Sequence, residues 1–376
     1  MKVVHVVRQF PPSIGGLENA VVNVVRRQRA NHRLDASIVT LDRVFSEPNR
    51  PLSVEDVFEG IPVRRIAWRG SSRYPIAPAV LGRITDADIV HVHGIDFFFD
   101  FLAWTKPLHR RRLIASTHGG FFHSRFLRTV KRAYFKTATR LAMTAYDKVV
   151  ACSEHDADLF APIGRGRVVT IENGIDTRKF AGAASPMPVP TMIYFGRLAR
   201  HKRIDAAIAL LAALRRHSPD WQLIVVGSPG DQPWEELARV AERLGIESAV
   251  RHVPSPDDAA LRALIGQASY YVSASAHEGF GIAAVEALSA GLLPILSDIP
   301  PFRKLLGKAG VGFLFDPAQP VDTAAKLERL HCELSAHPAI RQHAMQAARP
   351  YDWAGVANAY AALYAGLAPP GTAMPC

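Results

Sequence analysis

Cysteine is scarce. Cys152, Cys332 and Cys376 are the whole complement, odd in number and far apart, with no C-x-x-C and no Cys/His ligand spacing. A disulfide-stapled secreted module and a structural zinc domain are excluded, and a reduced, cytoplasmic setting is expected. Long hydrophobic runs are also missing. The nearest, FFFDFLAW at 97–104, is broken by Asp100 and falls well short of the roughly 18 apolar residues that a spanning helix needs. The opening MKVVHVVRQFPP is interrupted by His5 and Arg8, so a signal-peptide core is not expected. No G-x-x-x-x-G-K-[ST], G-x-S-x-G or H-E-x-x-H spacing occurs, which removes P-loop NTPases, nucleophile-elbow hydrolases and zincins.

Acidic residues are absent from one long window. None lies between Asp100 and Asp147, whereas Lys106, Arg110–Arg112, Arg125, Arg128, Lys131, Arg132, Lys136 and Arg140 all do. This stretch carries almost all of the formal net charge of +11. On a helical projection Arg125, Arg128, Arg132, Lys136 and Arg140 share one face, with Phe126, Val130, Ala133, Tyr134, Ala138 and Leu141 opposite. Two readings of this basic amphipathic helix stay open: a solvated surface helix, and one docked on an anionic bilayer beside a lipid-linked substrate. Nucleic acid is not expected, because no recognition motif or stacking-aromatic pattern accompanies the charge.

What is present is a repeating α/β pattern. The 376 residues, 48% of them apolar, suffice for two domains with full cores. Apolar runs at 3–7, 36–41, 88–94, 112–119, 148–153 and 167–174 alternate with helical-period segments, and they are continuous, as in parallel strands covered on both faces. The Ala/Ser/Pro-rich AGAASPMPVPT at 181–191 reads as a boundary. After it the pattern restarts at 192–197, 222–227, 250–254, 270–275 and 293–298. The expected domains are 1–180 and 181–350, each doubly wound and Rossmann-like, with a terminal helix in 351–376 packing back on the first.

Several segments carry candidate chemistry. Gly15 and Gly16, between a strand and a helix, suit either a tight turn or a loop that lets a ligand approach backbone amides, but they lack dinucleotide-fingerprint spacing. His118 closes the strand RLIASTHGG, where open α/β sheets gather ligands. His91 and His93 alternate on a strand, and with no third ligand in view packing or hydrogen bonding accounts for them better than a metal. In GRLARHKRID, Arg197 and Lys202 follow a strand directly and suit phosphate oxygens.

The sharpest segment is HEGFGIAAVEALSAG, 277–291. Gly279 and Gly281 flank Phe280 at a helix start with free amides, Glu278 stands just before it, and Glu286 lies about 7.5 Å further along the axis. Amid Ala and Val, Glu286 needs a ligand diol or a basic partner. Asp86-Ala87-Asp88 and Asp156-Ala157-Asp158 are nominal D-x-D pairs in capping contexts, so no metal is expected.

The spacing from Glu278 to Glu286 resembles the E-x7-E signature of retaining GT-B glycosyltransferases of the family-4 group. It is accompanied by Gly15-Gly16, GRLARHK and IENGID at 171–176. Over nearly the full chain the likeness is to bacterial exopolysaccharide mannosyltransferases of the xanthan and acetan type, through VVHVVRQF, LDRVF, RGSSRYPIAP, HGIDFFFDFLA, THGGFFH and LPILSDIPPF.

The resemblance implies two Rossmann-like domains facing across a cleft, the acceptor mainly on the first and the sugar nucleotide mainly on the second. It implies transfer of mannose from GDP-mannose to cellobiosyl-diphosphopolyprenol through an α-1,3 linkage, without a cofactor or obligate protein partner, at the cytoplasmic face of the inner membrane. Arg197 and Lys202 would hold the diphosphate, Glu286 the ribose, Glu278 the donor sugar, and His118 the sugar's 6-hydroxyl. Gly15, Gly16, Gly279, Phe280 and Gly281 would complete the donor site, and Arg125, Arg128, Arg132, Lys136 and Arg140 the membrane and acceptor face. The residue after the phosphate-binding Lys is usually Gly in such enzymes, whereas here it is Arg203. A different donor such as UDP-glucose, or a non-catalytic sugar-nucleotide or lipid-binding module, are the alternatives.

Overall fold

The computed structural model describes residues 1–13, 15–31, 34–118, 133–337 and 339–367. The chain divides into two compact units: Met1–Gly174 together with the segment from Trp353, and Ile175–Asp352.

In the first unit, β1 (Lys2–Val7), β2 (Asp35–Leu41), β3 (Glu55–Phe58), β4 (Ile61–Ile66), β7 (Ile89–His93), β8 (Arg112–Ser116), β9 (Lys148–Ala151) and β10 (Val168–Thr170) form one sheet. A hairpin, β5 (Arg69–Ser71) and β6 (Tyr74–Ile76), stands apart. The sheet order is β10-β9-β8-β7-β1-β2-β4-β3, parallel except for the edge strand β3. Continuous apolar strands are buried on both faces. Val4, Val6, Val90, Val92 and Leu113 face one core, while Val3, Ile89, Ile114 and Val150 face another, which Trp353, Val356, Tyr360 and Tyr364 of the terminal helix Trp353–Ala365 complete.

The second unit repeats the design with β11 (Thr191–Phe195), β12 (Gln222–Val226), β13 (Val250–Val253), β14 (Tyr270–Ser273), β15 (Leu293–Ser297) and β16 (Phe313–Phe315). The order is β13-β12-β11-β14-β15-β16, and every pairing is parallel. Ile193, Val225, Tyr270 and Ile295 are packed with Leu210 and Leu211 of the helix Ile204–Arg215 and with Val285 and Leu288 of the helix Ile282–Ala290.

The described part of the basic segment differs from its projection. Phe135–Thr139 is a π-helical turn running into the helix Arg140–Met143. Such a turn rotates later residues away from a 100° spacing. The buried positions are therefore Phe135, Thr139, Ala142 and Met143, whereas Ala133 and Leu141, assigned to the apolar side, are exposed. Lys136 and Arg140 are exposed as expected. Arg125, Arg128 and Arg132 lie outside the described residues.

Candidate active site

In the second unit, strand order reverses between the neighbours β11 and β14, the place where open α/β sheets leave a crevice beyond the strand ends. Arg197 follows β11 by two residues, is exposed, and has no hydrogen bond or ion pair through its guanidinium among the described residues. Its backbone is fixed: the Tyr194 hydroxyl donates to the Arg197 carbonyl at 2.9 Å, and the Leu198 amide donates to the Ser228 carbonyl at 3.0 Å. Gly227 permits this closeness, because a Cβ there would stand 2.1 Å from the Gly196 carbonyl oxygen.

Lys202 ends the turn Arg200–Lys202, with Nζ 2.5 Å from Glu278 Oε1. Ser275 Oγ donates to the same oxygen at 2.8 Å. The Ala276 amide donates to the His201 carbonyl at 2.7 Å, and the His201 and His277 rings stack at 4.8 Å. The loops after β11 and β14 are thus joined by backbone, ring and charge. Arg203 takes the left-handed conformation, φ 50° and ψ 48°, which Gly adopts without cost. The departure from Gly therefore leaves the turn's backbone path intact.

Gly281, at φ 90°, begins the helix Ile282–Ala290, and no side chain caps it. Its first amides remain available to an anion. The neighbouring Phe280 ring packs edge-on to Tyr351 at 5.6 Å. About one and a half turns along, the largely buried Glu286 carboxylate has no hydrogen-bond partner among the described residues. Burial raises its pKa and the charge of Lys179 opposes the rise, yet Lys179 is committed to Asp258 at 2.7 Å. Cations, free helix-start amides and a carboxylate that no described residue engages, at adjoining strand ends, suit a ligand that combines anionic oxygens with hydroxyls.

His118 and the Gly15-Gly16 pair belong to the first unit, at the carboxyl ends of β8 and β1. Gly16 starts the helix Gly16–Asn31 and, with Arg8, Ser13 and Phe45, lines a cavity of about 650 Å³. His118 has φ 48°, a conformation rare for a non-glycine residue and common at functional sites. Its Nε2 lies 2.9 Å from His93 Nδ1, and its Nδ1 lies 3.6 Å from the Cys152 sulfur. Burial pulls its pKa down from 6.5 to about 4, so the ring is neutral at pH 7.

The parallel register His5↔His91 brings His5, His91 and His93 together on one face, with ring nitrogens within 4.8 Å of one another. All of these nitrogens are hydrogen-bonded. His5 reaches His93 and Gln28, both at 2.9 Å, and His91 reaches the Tyr364 hydroxyl at 2.6 Å and Ser116 Oγ at 2.8 Å. The cluster is accounted for by neutral imidazoles satisfying one another. The D-x-D segments are likewise engaged by protein: Asp86 and Asp88 bind Lys2, and Asp156 accepts from Thr117 Oγ1 at 2.7 Å. Ser153, not an Asp, caps the helix Glu154–Gly164.

Sequence reasoning missed Ser275, Tyr194, Gln28, Cys152, Tyr360 and Tyr364 as partners of site residues. Only the H-V-H alternation carried a signal, and it lacked the register that adds His5.

Two Rossmann-like units and an anion-ready strand-end site define a glycosyltransferase of the GT-B class. Residues 14–179 match the family described as Glycosyltransferase Family 4, and residues 176–344 match Glycosyl transferases group 1. The chain belongs to the family-4 glycosyltransferases. It is 49% identical, over 97% of its length and 93% of the relative's, to a GDP-mannose:cellobiosyl-diphosphopolyprenol alpha-mannosyltransferase of Komagataeibacter xylinus. It is 46% identical to the Xanthomonas campestris protein of the same name, over 96% and 95%. Among solved structures, Anabaena HepE in complex with UDP shares the fold at a TM-score of 0.76 and 19% identity, covering 97% of this chain and all of that one.

Proposed function

We propose that this chain transfers mannose from GDP-mannose to cellobiosyl-diphosphopolyprenol, with retention and an α-1,3 linkage, in exopolysaccharide repeat-unit assembly. The observation that carries the donor half is the set at the ends of β11 and β14: Arg197 and Glu286, whose side chains have no hydrogen-bond partner among the described residues, with Lys202 and the amides around Phe280 and Gly281. The acceptor reading rests on the names of the relatives at 46–49% identity. In this reading the second unit binds most of the donor, the first binds mainly the acceptor, and the terminal helix serves the first.

Lys202 and Glu278 neutralise each other. Donor binding exchanges partners: the diphosphate takes Lys202, with Arg197 as a second cation, and Glu278 turns its freed lone pairs to sugar hydroxyls. Glu286 accepts from the ribose. Gly279, Phe280 and Gly281 hold the donor through backbone, and Gly15 and Gly16 admit the sugar nucleotide closely. The bond from mannose C1 to the β-phosphate oxygen breaks, leaving an oxocarbenium-like sugar and more negative charge on GDP. Arg197, Lys202 and the helix-start amides favour that charge over the ground state's. The acceptor hydroxyl attacks C1 from the face the phosphate leaves, and its proton passes to the departing phosphate oxygen. His118 accepts from the sugar's 6-hydroxyl and orients it.

No helix among the described residues is long and apolar enough to cross a membrane. The enzyme is proposed to work peripherally on the cytoplasmic face of the inner membrane, with the charges of Arg125, Arg128, Arg132, Lys136 and Arg140 favouring anionic lipid.

A donor-by-acceptor screen tests the whole reading. GDP-mannose with diphosphopolyprenyl cellobiose should give one α-1,3-mannosylated product, identified by linkage analysis. Turnover with UDP-glucose instead, or nucleotide binding without transfer, would overturn it.

A further inference from the structure

The hydrogen bonds around His118 close into a ring with a single sense. The Gln28 amide sets it: with its oxygen toward His5 Nε2 and its nitrogen 3.2 Å from the Tyr364 hydroxyl, it accepts from the first and donates to the second, and the opposite amide placement would reverse every member. A neutral imidazole has one donor and one acceptor nitrogen. His5, giving its proton to Gln28, must therefore accept at Nδ1 from His93 Nε2, and His93 must accept at Nδ1 from His118 Nε2.

The other arm runs from Tyr364 to His91 Nδ1, from His91 Nε2 to Ser116, and from Ser116 to the Tyr360 hydroxyl at 3.0 Å. Tyr360 donates to Cys152, whose thiol, kept protonated by burial, faces His118 Nδ1. Each member donates once and accepts once around the loop. No tautomer can change alone without setting two donors or two acceptors against each other, at the cost of unsatisfied buried groups.

We propose that His93, acting with His5 and Gln28, is a positioning residue that holds His118 as its Nε2–H tautomer and so presents Nδ1 to the transferred sugar as a hydrogen-bond acceptor. Nδ1 is the nitrogen that can be released, since its only partner among the described residues is a thiol at 3.6 Å, whereas Nε2 is anchored at 2.9 Å. A sugar hydroxyl donating to Nδ1 takes the place of the thiol hydrogen and leaves every imidazole tautomer as it was. His118 then acts as neither cation nor proton donor. The proposal rests on the reading that His118 meets the donor sugar.

The test combines nitrogen-15 NMR of histidine-labelled full-length protein with transfer kinetics. In the wild type at pH 7, His5, His93 and His118 should all show the neutral Nε2–H pattern. An Nδ1–H or doubly protonated His118 overturns the proposal whether or not any variant folds. His93→Leu should mix the His118 tautomers and lower kcat about ten- to a hundredfold, with donor KM within about threefold, the scale seen when outer partners of a functional imidazole are lost. His93→Gln, whose amide can accept from His118 and donate to His5, should restore both the Nε2–H pattern and most of kcat. Equal losses in the two variants with an unchanged His118 spectrum would assign His93 a structural role only. His118→Ala separates the two claims: wild-type transfer by that variant removes the catalytic reading of His118, while the spectrum still decides the sense of the ring.

Discussion

Lys202 Nζ and Glu278 Oε1 stand 2.5 Å apart, and Ser275 donates to that same carboxylate oxygen. A cation proposed for the diphosphate is therefore held by the carboxylate proposed for the sugar. Lys202→Ala should lower kcat/KM by about 10²–10³-fold, as does removal of one preorganised donor from a developing charge. The fold should persist, because the pair sits at loop ends outside the core. Transfer kinetics beside a thermal melt check this, and equal kcat/KM for folded wild type and variant rejects the role.

Glu286→Gln separates ligand binding from stability. The carboxylate is largely buried without a hydrogen-bond partner among the described residues. Replacing it by a neutral amide should leave stability unchanged or higher, since a buried charge is removed. If the carboxylate accepts ribose hydroxyls, the loss of a charged hydrogen bond, about 1.5–3 kcal/mol, should raise donor KM about ten- to a hundredfold. A lower Tm with unchanged KM would make Glu286 structural.

Gly279→Ala and Gly281→Ala should diverge although the residues lie two apart. At Gly279 a Cβ meets nothing within 4 Å, whereas at Gly281 it would lie 2.8 Å from Phe302 Cε1 on a backbone at φ 90°. The left-handed conformation alone costs an L-residue about 1–2 kcal/mol. Gly281→Ala should thus lower both the Tm and donor affinity, and Gly279→Ala should leave the Tm in place. Matching melts for the two variants would contradict this.

These contrasts mark what was legible in the sequence. Continuous apolar runs such as YYVSAS and LPILSD are nearly self-sufficient signals for buried parallel strands, so the sheets and the strand-end position of Glu278 could be read directly. β3 and β4 could not: Glu55 and Asp56 pair across the edge with Arg64 and Arg65, and charge interrupts the pattern. FFFDFLAW reads as an apolar run, yet it is a helix with Asp100 buried beneath the Tyr74 and Tyr134 hydroxyls. The Lys202–Glu278 pair and the ring from Gln28 to Cys152 depend on register and on the return of the terminal helix, which no local pattern encodes.

The buried histidines should make the protein sensitive to acid. Burial lowers the pKa of His5 and His118 from 6.5 to about 4, and His91 and His93 are also lowered. Between those values the unfolded chain binds more protons, so stability is full above about pH 6.5 and is lost as pH falls toward 4. For His5 alone the shift corresponds to on the order of 3 kcal/mol. Asp96, raised to about 6 by burial, and Asp100 and Glu286, also raised by burial, act in the opposite sense, but they oppose the larger set of buried histidines. Melts at pH 7.5, 6 and 5 should show a falling Tm, and a flat profile would refute the balance.

Membrane association has a test confined to described residues. Lys136 and Arg140 are exposed on the helical segment whose Arg140–Met143 part packs against the helix Phe97–Trp104. Trp104 and Leu141 in these two helices, and Leu108 in the short helix Lys106–His109 that follows the first, are 61%, 66% and 77% exposed. Basic side chains beside exposed apolar ones suit an anionic lipid interface, where each Lys or Arg contributes about 1 kcal/mol. Lys136→Gln with Arg140→Gln should then weaken partition onto anionic vesicles by about 2 kcal/mol, roughly thirtyfold. The defect should shrink as salt rises, because screening removes the same term from the wild type. Leu141→Ser should weaken binding by an amount that salt does not erase, since it removes apolar contact and leaves charge in place. Identical salt-dependent partition of the wild type and the double variant would return these charges to solvent.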